Sequence, residues 1–388
     1  MRIWPVNRVV SMRSVAWIDG LQALLSGRPV VVFGGGAEVL PDLSRLLIAG
    51  ASVRLVAPDV CPAIEALATS GRISWEAREW QAADLEDAWL AIARTPDPAE
   101  NTAITEAATK RRLFCLANTH EPERSPRRRA AGPPLPDIAL VGAGPGDPGL
   151  ITVRGKEFLQ AADVVVIDRL APLELLADLE AGVEVVDAAK IPYGRSAVQR
   201  NLNEVMIERA RAGRFVVRLK GGDPYVFGRG FEEVAACAEA GLRVTVVPGI
   251  SSALAVPALA GTPVTHRGMT HELTIVSGHL APDAPGTLVD WAALSRLRGT
   301  LVVLMGVAHI EEIANALTRG GKDPCTPALL VQEGATCRQR VVRSTLGRLA
   351  ADCAEHKVEP PSVFVIGEVA GLPSAGSTAE LAATEADD

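Results

Sequence analysis

One pattern constrains the fold of this chain more than any other: short runs of β-formers that each end in a glycine-containing turn. Pro29-Val-Val-Val-Phe33 runs into Gly34-Gly-Gly36, a helical stretch ends at Gly50, and a second run follows, Ser52-Val-Arg-Leu-Val-Ala57. Farther along, Asp137-Ile-Ala-Leu-Val141, Phe215-Val-Val217 and Val244-Thr-Val-Val247 each lead into segments rich in Gly and Pro. Leu273–Leu280, Thr300–Gly306, Thr326–Gly334 and Ser362–Gly367 repeat the pattern. Apolar runs of this length, alternating with helical stretches, predict α/β layers around parallel sheets. Turns at the C-terminal ends of such strands gather along one sheet edge, where open α/β sheets bind ligands.

Among these turns, Arg218–Gly230 is the richest in chemistry. Its closely spaced glycines let backbone approach a ligand where a Cβ would collide. Asp223 adds an acceptor, and Arg218, Lys220 and Arg229 are expected to bring positive charge to the same rim; the plainer alternative is a basic strand-to-helix turn. Gly142-Ala-Gly-Pro-Gly-Asp-Pro-Gly-Leu150 resembles a dinucleotide turn only superficially. Pro145 and Pro148 remove amide donors that a phosphate cradle needs, so the loop suits a large planar or uncharged ligand part. Asp168-Arg169 closes the run Ala162–Ile167. It reads either as a structural ion pair or as a general base tuned by the arginine.

The first β–turn–α–β stretch predicts a Rossmann-like domain. Gly34-x-Gly36-x-x-Val39 keeps two glycines of the dinucleotide fingerprint and has a β-branched residue at the third position. Gly34 and Gly36 are the candidate NAD contacts. Asp42 puts negative charge near a helix start that would otherwise attract pyrophosphate. Nucleotide binding and a purely structural role both stay open.

At 388 residues the chain is long enough for two or three domains with ordinary cores. Its 48% hydrophobic and 22% charged residues describe a soluble globular protein. Its 4% aromatic content and net charge of −7 argue against a dedicated nucleic-acid binder, yet leave room for a local basic pocket. Six cysteines lack C-x-x-C spacing and six histidines lack H-E-x-x-H, so no metal site is expected and the thiols fit a reducing compartment. No apolar run reaches spanning length and no secretory leader is recognisable, so the expectation is a cytoplasmic protein without membrane contact. The charged, Pro-rich stretch between residues 121 and 136 reads as a linker.

Taken in order, several segments resemble the uroporphyrinogen-III C-methyltransferase family. They are Val141–Thr152, Asp168-Arg-Leu170, the 218–230 segment, Val247-Pro-Gly-Ile250, Gly261-x-Pro-x-Thr-His-Arg267, Ser277-Gly-His-Leu280 and Met305-Gly306. The chain as a whole is similar to siroheme synthases, in which a precorrin-2 dehydrogenase domain precedes this methyltransferase. The resemblance implies an N-terminal Rossmann-like domain over 16–125, a linker over 126–136, a two-lobed α/β tetrapyrrole methyltransferase domain over 137–372, and a flexible tail over 373–388. It also implies a homodimer that methylates uroporphyrinogen III with S-adenosyl-L-methionine. Carried over to this sequence, the cofactor contacts fall on Pro145, Gly221, Gly222, Asp223, Val226, Ser251, Ser252, Met305 and Gly334. Asp168 matches the family's proton acceptor and Lys190 its proton donor. The sulfonium makes the methyl a good electrophile, so the enzyme chiefly has to align a ring carbon with it. For a substrate with many carboxylates, Arg154, Arg169, Arg229 and Arg267 are the expected anchors, with Lys190 beside them.

The N-terminal resemblance covers about residues 16 to 120 and departs from the family at Val39, at Pro41-Asp42 and at Thr119, where the family carries an acidic residue. The central dimerisation segment of the three-function enzymes has no counterpart. Two alternatives to a simple methyltransferase follow. One is a bifunctional siroheme synthase that also oxidises precorrin-2 with NAD; the other is a non-catalytic N-terminal module for interaction or sensing.

Overall fold

The computed structural model describes residues 24–117, 135–180, 182–188 and 195–373, with the backbone alone for 195–200. The chain divides into two compact units that do not follow chain order. The first takes residues 1–134, 162–169 and 173–205; the second takes 135–161, 170–172 and 206–388.

The elements run β1 (Pro29–Phe33), α1 (Leu40–Ile48), β2 (Ser52–Val56), α2 (Pro62–Thr69), β3 (Ser74–Glu76), β4 (Leu90–Ala93), α3 (Pro98–Lys110) and β5 (Phe114–Ala117). Next come β6 (Ile138–Gly142), α4 (Val153–Ala161), β7 (Val164–Ile167), β8 (Glu184–Asp187), α5 (Arg195–Arg211), β9 (Val216–Lys220), α6 (Gly230–Glu239) and β10 (Val244–Val247). The last are α7 (Ser252–Leu259), β11 (Leu273–Ser277), α8 (Trp291–Arg296), β12 (Thr300–Leu304), α9 (Ile310–Arg319), β13 (Pro327–Gln332), β14 (Arg340–Thr345), α10 (Leu349–Glu355) and β15 (Ser362–Ile366).

In the first unit, five parallel strands stand in the order β3-β2-β1-β4-β5, the doubly wound arrangement expected from the sequence. β1 is central because Val30, Val31, Val32 and Phe33 are apolar on both faces, and all four are buried. Val31 and Phe33 pack with Ala91, Ala93, Ile104 and Ala108 of β4 and α3. α1 turns Leu40, Leu43 and Leu46 inward at helical spacing. Asp97 caps α3 by accepting from the Ala99 amide at 2.8 Å. The same unit holds the parallel pair β7 and β8, with Ile167 opposite Asp187.

The second unit contains two lobes. In one, β10, β6 and β9 run parallel in that order. In the other, β11-β12-β15-β13-β14 form a mixed sheet in which only β11 and β12 pair parallel. The strand runs predict parallel sheets and pass over β14, whose Arg-Val-Val-Arg-Ser-Thr composition and part-exposed edge position leave no apolar signal. Phe364 and Leu330 face one core of the mixed sheet, and Val365 and Leu329 face the other. Ala253 and Val256 of α7 pack into that second core, so the helix leaving β10 joins the two lobes.

Candidate active site

The site is built where strands β6, β9 and β10 end. Gly144 and Gly222 form an isolated antiparallel bridge, with the Gly222 amide donating to the Gly144 carbonyl at 2.7 Å. The Ala143 amide donates to the Lys220 carbonyl at 2.7 Å, so the turns after β6 and β9 are zipped together. Gly249, after β10, lies backbone-to-backbone against both. A Cβ on residue 142 would meet Gly249, and one on 249 would meet the Gly222 carbonyl. Asp223 fastens the cluster: its carboxylate accepts from the Tyr225 amide at 2.8 Å and from the Gly249 amide at 3.0 Å. Ser251 caps α7 by accepting from the Ala253 amide at 3.3 Å.

Gly222 is different from its neighbours. It sits at φ +67°, and among the described residues a Cβ there would find only the Ser252 amide, 4.0 Å away. A Cβ on Gly221 would meet Leu170 Cβ at 2.6 Å, and Leu170 is two residues along the chain from Asp168.

The mixed-sheet lobe contributes the turn after β13. Met305 (φ +57°), Glu333 (φ +47°) and Ala335 (φ +64°) all adopt the left-handed region, as do Phe227 and Arg229 in the β9 turn. Non-glycine residues pay conformational strain there, and such residues concentrate at binding sites. A Cβ on Gly146 would meet Thr336 Cγ2 at 3.1 Å and the Gly334 carbonyl at 3.3 Å, so the β6 turn lies against the β13 turn. Gly334 itself lies against the Val256 side chain of α7. Pro145, Gly221, Gly222, Asp223, Ser251, Ser252 and Gly334 therefore belong to one continuous set of contacting turns. Val226 is exposed in the β9 turn and Met305 is 49% exposed at the end of β12.

The expected basic rim is corrected. Arg218 and Lys220 point into the protein: Glu233 of α6, fully buried, is bridged by Arg218 Nε at 3.2 Å and Lys220 Nζ at 3.0 Å. Residues two apart on a strand share a face, and here that face is covered by α6. Arg229 alone of the three is exposed, and its guanidinium pairs with Glu232 at 2.6 Å. Glu233 was missed in the sequence, although the 218/220 spacing and a glutamate in the first turn of the next helix were the available signal. Asp168 is half-buried at the end of β7; Arg154, Arg169 and Arg267 are exposed. Lys190 and Thr119 lie outside the described residues, as does the tail beyond residue 373. No group of three or more His, Cys, Asp or Glu side chains able to hold a metal occurs among the described residues.

An adenosyl sulfonium with an amino-acid tail fits this cleft. The contacting turns present mainly backbone, the Asp223 carboxylate is engaged by two amides, and among the described residues the space over Gly222 is open.

The glycine turn after β1 is closed by contrast. Gly34 (φ +116°) lies against the Arg94 backbone, and the Glu38 carboxylate folds over Gly36, where a Cβ would strike it. Val39 is buried, and residues 37–39 form a 3-10 turn before α1 begins. Asp42 pairs with Arg94 Nε at 2.9 Å.

Comparison with known proteins agrees with both halves. Residues 137–350 match the family model for tetrapyrrole (corrin/porphyrin) methylases, and residues 21–125 match an NAD(P)-binding model. The S-adenosyl-L-methionine-dependent uroporphyrinogen III methyltransferase of Methanosarcina barkeri is 41% identical over 235 residues, covering 61% of this chain and 92% of that protein. The siroheme synthase of Sodalis glossinidius is 32% identical over 446 residues, covering 91% of this chain and 94% of that protein. That alignment is longer than this 388-residue chain, so the relative carries inserted residues. The crystal structure of the uroporphyrin-III C-methyl transferase from Thermus thermophilus complexed with S-adenyl homocysteine superposes with a TM-score of 0.51 at 42% identity. It covers 60% of this chain and 97% of that one. With its methylase match spanning more than half its length behind an NAD(P)-binding-like stretch, in the arrangement of a siroheme synthase, this chain belongs to the tetrapyrrole methylase family.

Proposed function

We propose that this protein transfers methyl groups from S-adenosyl-L-methionine to uroporphyrinogen III, giving precorrin-2 by way of precorrin-1. The observation that carries the reading is the cleft of contacting glycine turns, with open space over Gly222 and no unengaged charge at Asp223. When bound, S-adenosyl-L-methionine supplies an electrophilic methyl group. The chain's own contribution is placement. Gly222 leaves the space assigned to the cofactor, and Gly221 and Gly334 bring their turns close by packing on Leu170 and Val256. Asp223 holds the β9 and β10 turns in register, and Pro145, Val226, Ser251, Ser252 and Met305 complete the walls.

Asp168 is assigned to accept the proton that the ring system loses after its carbon gains a methyl, and Lys190 to donate one. Arg154, Arg169, Arg229 and Arg267 are assigned to the substrate's carboxylates. The domain boundaries proposed for this activity are 137–372 for the methyltransferase and 16–125 for the Rossmann-like part. The working form proposed is a cytoplasmic homodimer; Tyr225 and Phe227, exposed beside the cleft, are apolar surface for such an interface. Among the described residues no helix is long and apolar enough to cross a membrane.

The test is methyl transfer from labelled cofactor to uroporphyrinogen III. Gly222→Arg puts a long side chain into the open space, where a Cβ meets nothing nearer than the Ser252 amide at 4.0 Å, and should abolish transfer. Asp168→Asn should lower it by about 100-fold or more, the usual range for a lost acid–base group. Undiminished turnover in Gly222→Arg would remove the cofactor assignment. The bifunctional reading rests on the NAD(P)-binding match over 21–125. NAD-dependent oxidation of precorrin-2 to sirohydrochlorin by the same chain is its direct assay.

A further inference from the structure

The first unit joins two stretches that are distant in sequence. The glycine turn after β1, with helices α1 and α2, packs against residues 173–180 and 182–187, which lie inside the stretch matched by the methylase model. A 3-10 turn over Leu173–Asp178 runs along α1 and buries Leu175 and Leu176, with Leu179 buried just after it. Arg45 of α1 clamps it, donating to the Ala177 carbonyl at 3.1 Å and to the Leu179 carbonyl at 2.6 Å. Arg72 pairs with Glu174 at 2.6 Å. The segment then delivers β8 to the 37–39 turn and the Asp187 carboxylate to the start of α2, where it accepts from the Ala63 amide at 3.1 Å.

Two of the places the segment reaches, the 37–39 turn and the start of α2, are ones a dinucleotide would use. In a doubly wound sheet the pyrophosphate lies over the second glycine and the first helix start, and the ribose lies beyond the second strand. Here the Glu38 carboxylate occupies the approach to Gly36, and Asp187 occupies the amide at the helix start after β2. Asp42, in the first turn of α1, is paired with Arg94, just after β4. Two carboxylates thus stand where a phosphate-bearing ligand would have to go, and like charges exclude one another from one site.

We propose that the dinucleotide crevice of the N-terminal fold is the seat of this chain's own 173–187 segment, so that seating and dinucleotide binding exclude each other. The seated segment ties the Rossmann-like part to the strand pair that ends in Asp168. A dinucleotide enters only when the segment leaves.

NADH binding to the full-length chain, followed by the fluorescence of the reduced nicotinamide, tests this alongside hydrogen exchange of residues 173–187. The variant Arg45→Ala/Arg72→Ala/Asp187→Ala should lose exchange protection in the segment and bind NADH at least ten-fold more tightly than the parent. Glu38→Gln, at an exposed position that folding tolerates, should improve binding by a smaller factor. Saturating NADH should reduce protection of the segment in the parent chain. Protection unchanged in the triple variant would show that these contacts do not hold the seat. A loosened segment with no gain in NADH affinity, or parent binding that leaves the segment protected, overturns the exclusion.

Discussion

Gly142, Gly222 and Gly249 show how one residue type serves two purposes within a few ångströms. Gly142 and Gly249 are needed because their neighbours are backbone, whereas Gly222 is needed for its φ of +67° and for the space it leaves open. Substitutions should separate the two. Gly249→Ala drives a Cβ into the Gly222 carbonyl and should lower stability and activity together, with the melting temperature as the readout. Gly222→Ala meets nothing nearer than the Ser252 amide at 4.0 Å among the described residues and carries chiefly left-handed strain, about 1–2 kcal/mol. Asp223→Ala should strand the Tyr225 and Gly249 amides, at about 1–3 kcal/mol if both stay dry. It should raise KM for the methyl donor and lower the stability of the second unit, to which Asp223, Tyr225 and Gly249 belong, with calorimetry as the stability readout. The glycines and the aspartate were legible in the sequence because closely spaced glycines after a β-run have few other uses. That Asp223 is turned to two amides was not, since a strand-end carboxylate looks the same in sequence whichever way it faces.

At the scale of elements, β9 and α6 are locked by Glu233 between Arg218 and Lys220. Removing one partner of a buried ion cluster leaves uncompensated charge, so Glu233→Gln should cost about 3–5 kcal/mol in urea unfolding. Burial, with Glu233 close by, pushes the Cys237 thiol up to about 11, so Cys237 should resist alkylation in the native protein while exposed Cys325 reacts.

In the first unit, Asp84 sits between Arg78 at 2.6 Å and Arg54 at 3.2 Å. The Arg78 hydrogen bond, ahead of the Gln81 amide and Arg54, holds the Asp84 carboxyl below its ordinary value. A depressed carboxyl contributes stability above its unfolded pKa and loses it as pH falls through the folded one. Melting of the parent protein should therefore decline below the ordinary Asp range, and Asp84→Asn should lower stability at pH 7 while flattening that acid limb. Equal acid limbs in the two proteins would discount this cluster. The strands, by contrast, were nearly all legible: β1, β6, β7 and β15 are apolar runs bounded by glycine or by charge. β3 and β14 were not, because three half-exposed residues and an arginine-flanked edge carry no period-two signal.

For the molecule as a whole, a methylase match and an NAD(P)-binding match meet in one chain with unequal sites. The methyl-transfer cleft is open at Gly222, whereas the crevice of the Rossmann-like part is filled by Glu38, Asp187 and the segment behind them. Methyl transfer should accordingly run at the same rate with and without NAD at concentrations that leave the segment protected from exchange, measured on the full-length chain. The α/β class, the strand runs and the glycine turns could all be read from the order of residues, because apolar periodicity and backbone freedom are local properties. The destinations of the charges could not. Arg218 and Lys220 face Glu233 instead of solvent, and Asp187 reaches an amide 124 residues away. Ion pairs and helix caps of that range depend on which surfaces the fold presses together, and no local pattern encodes that choice.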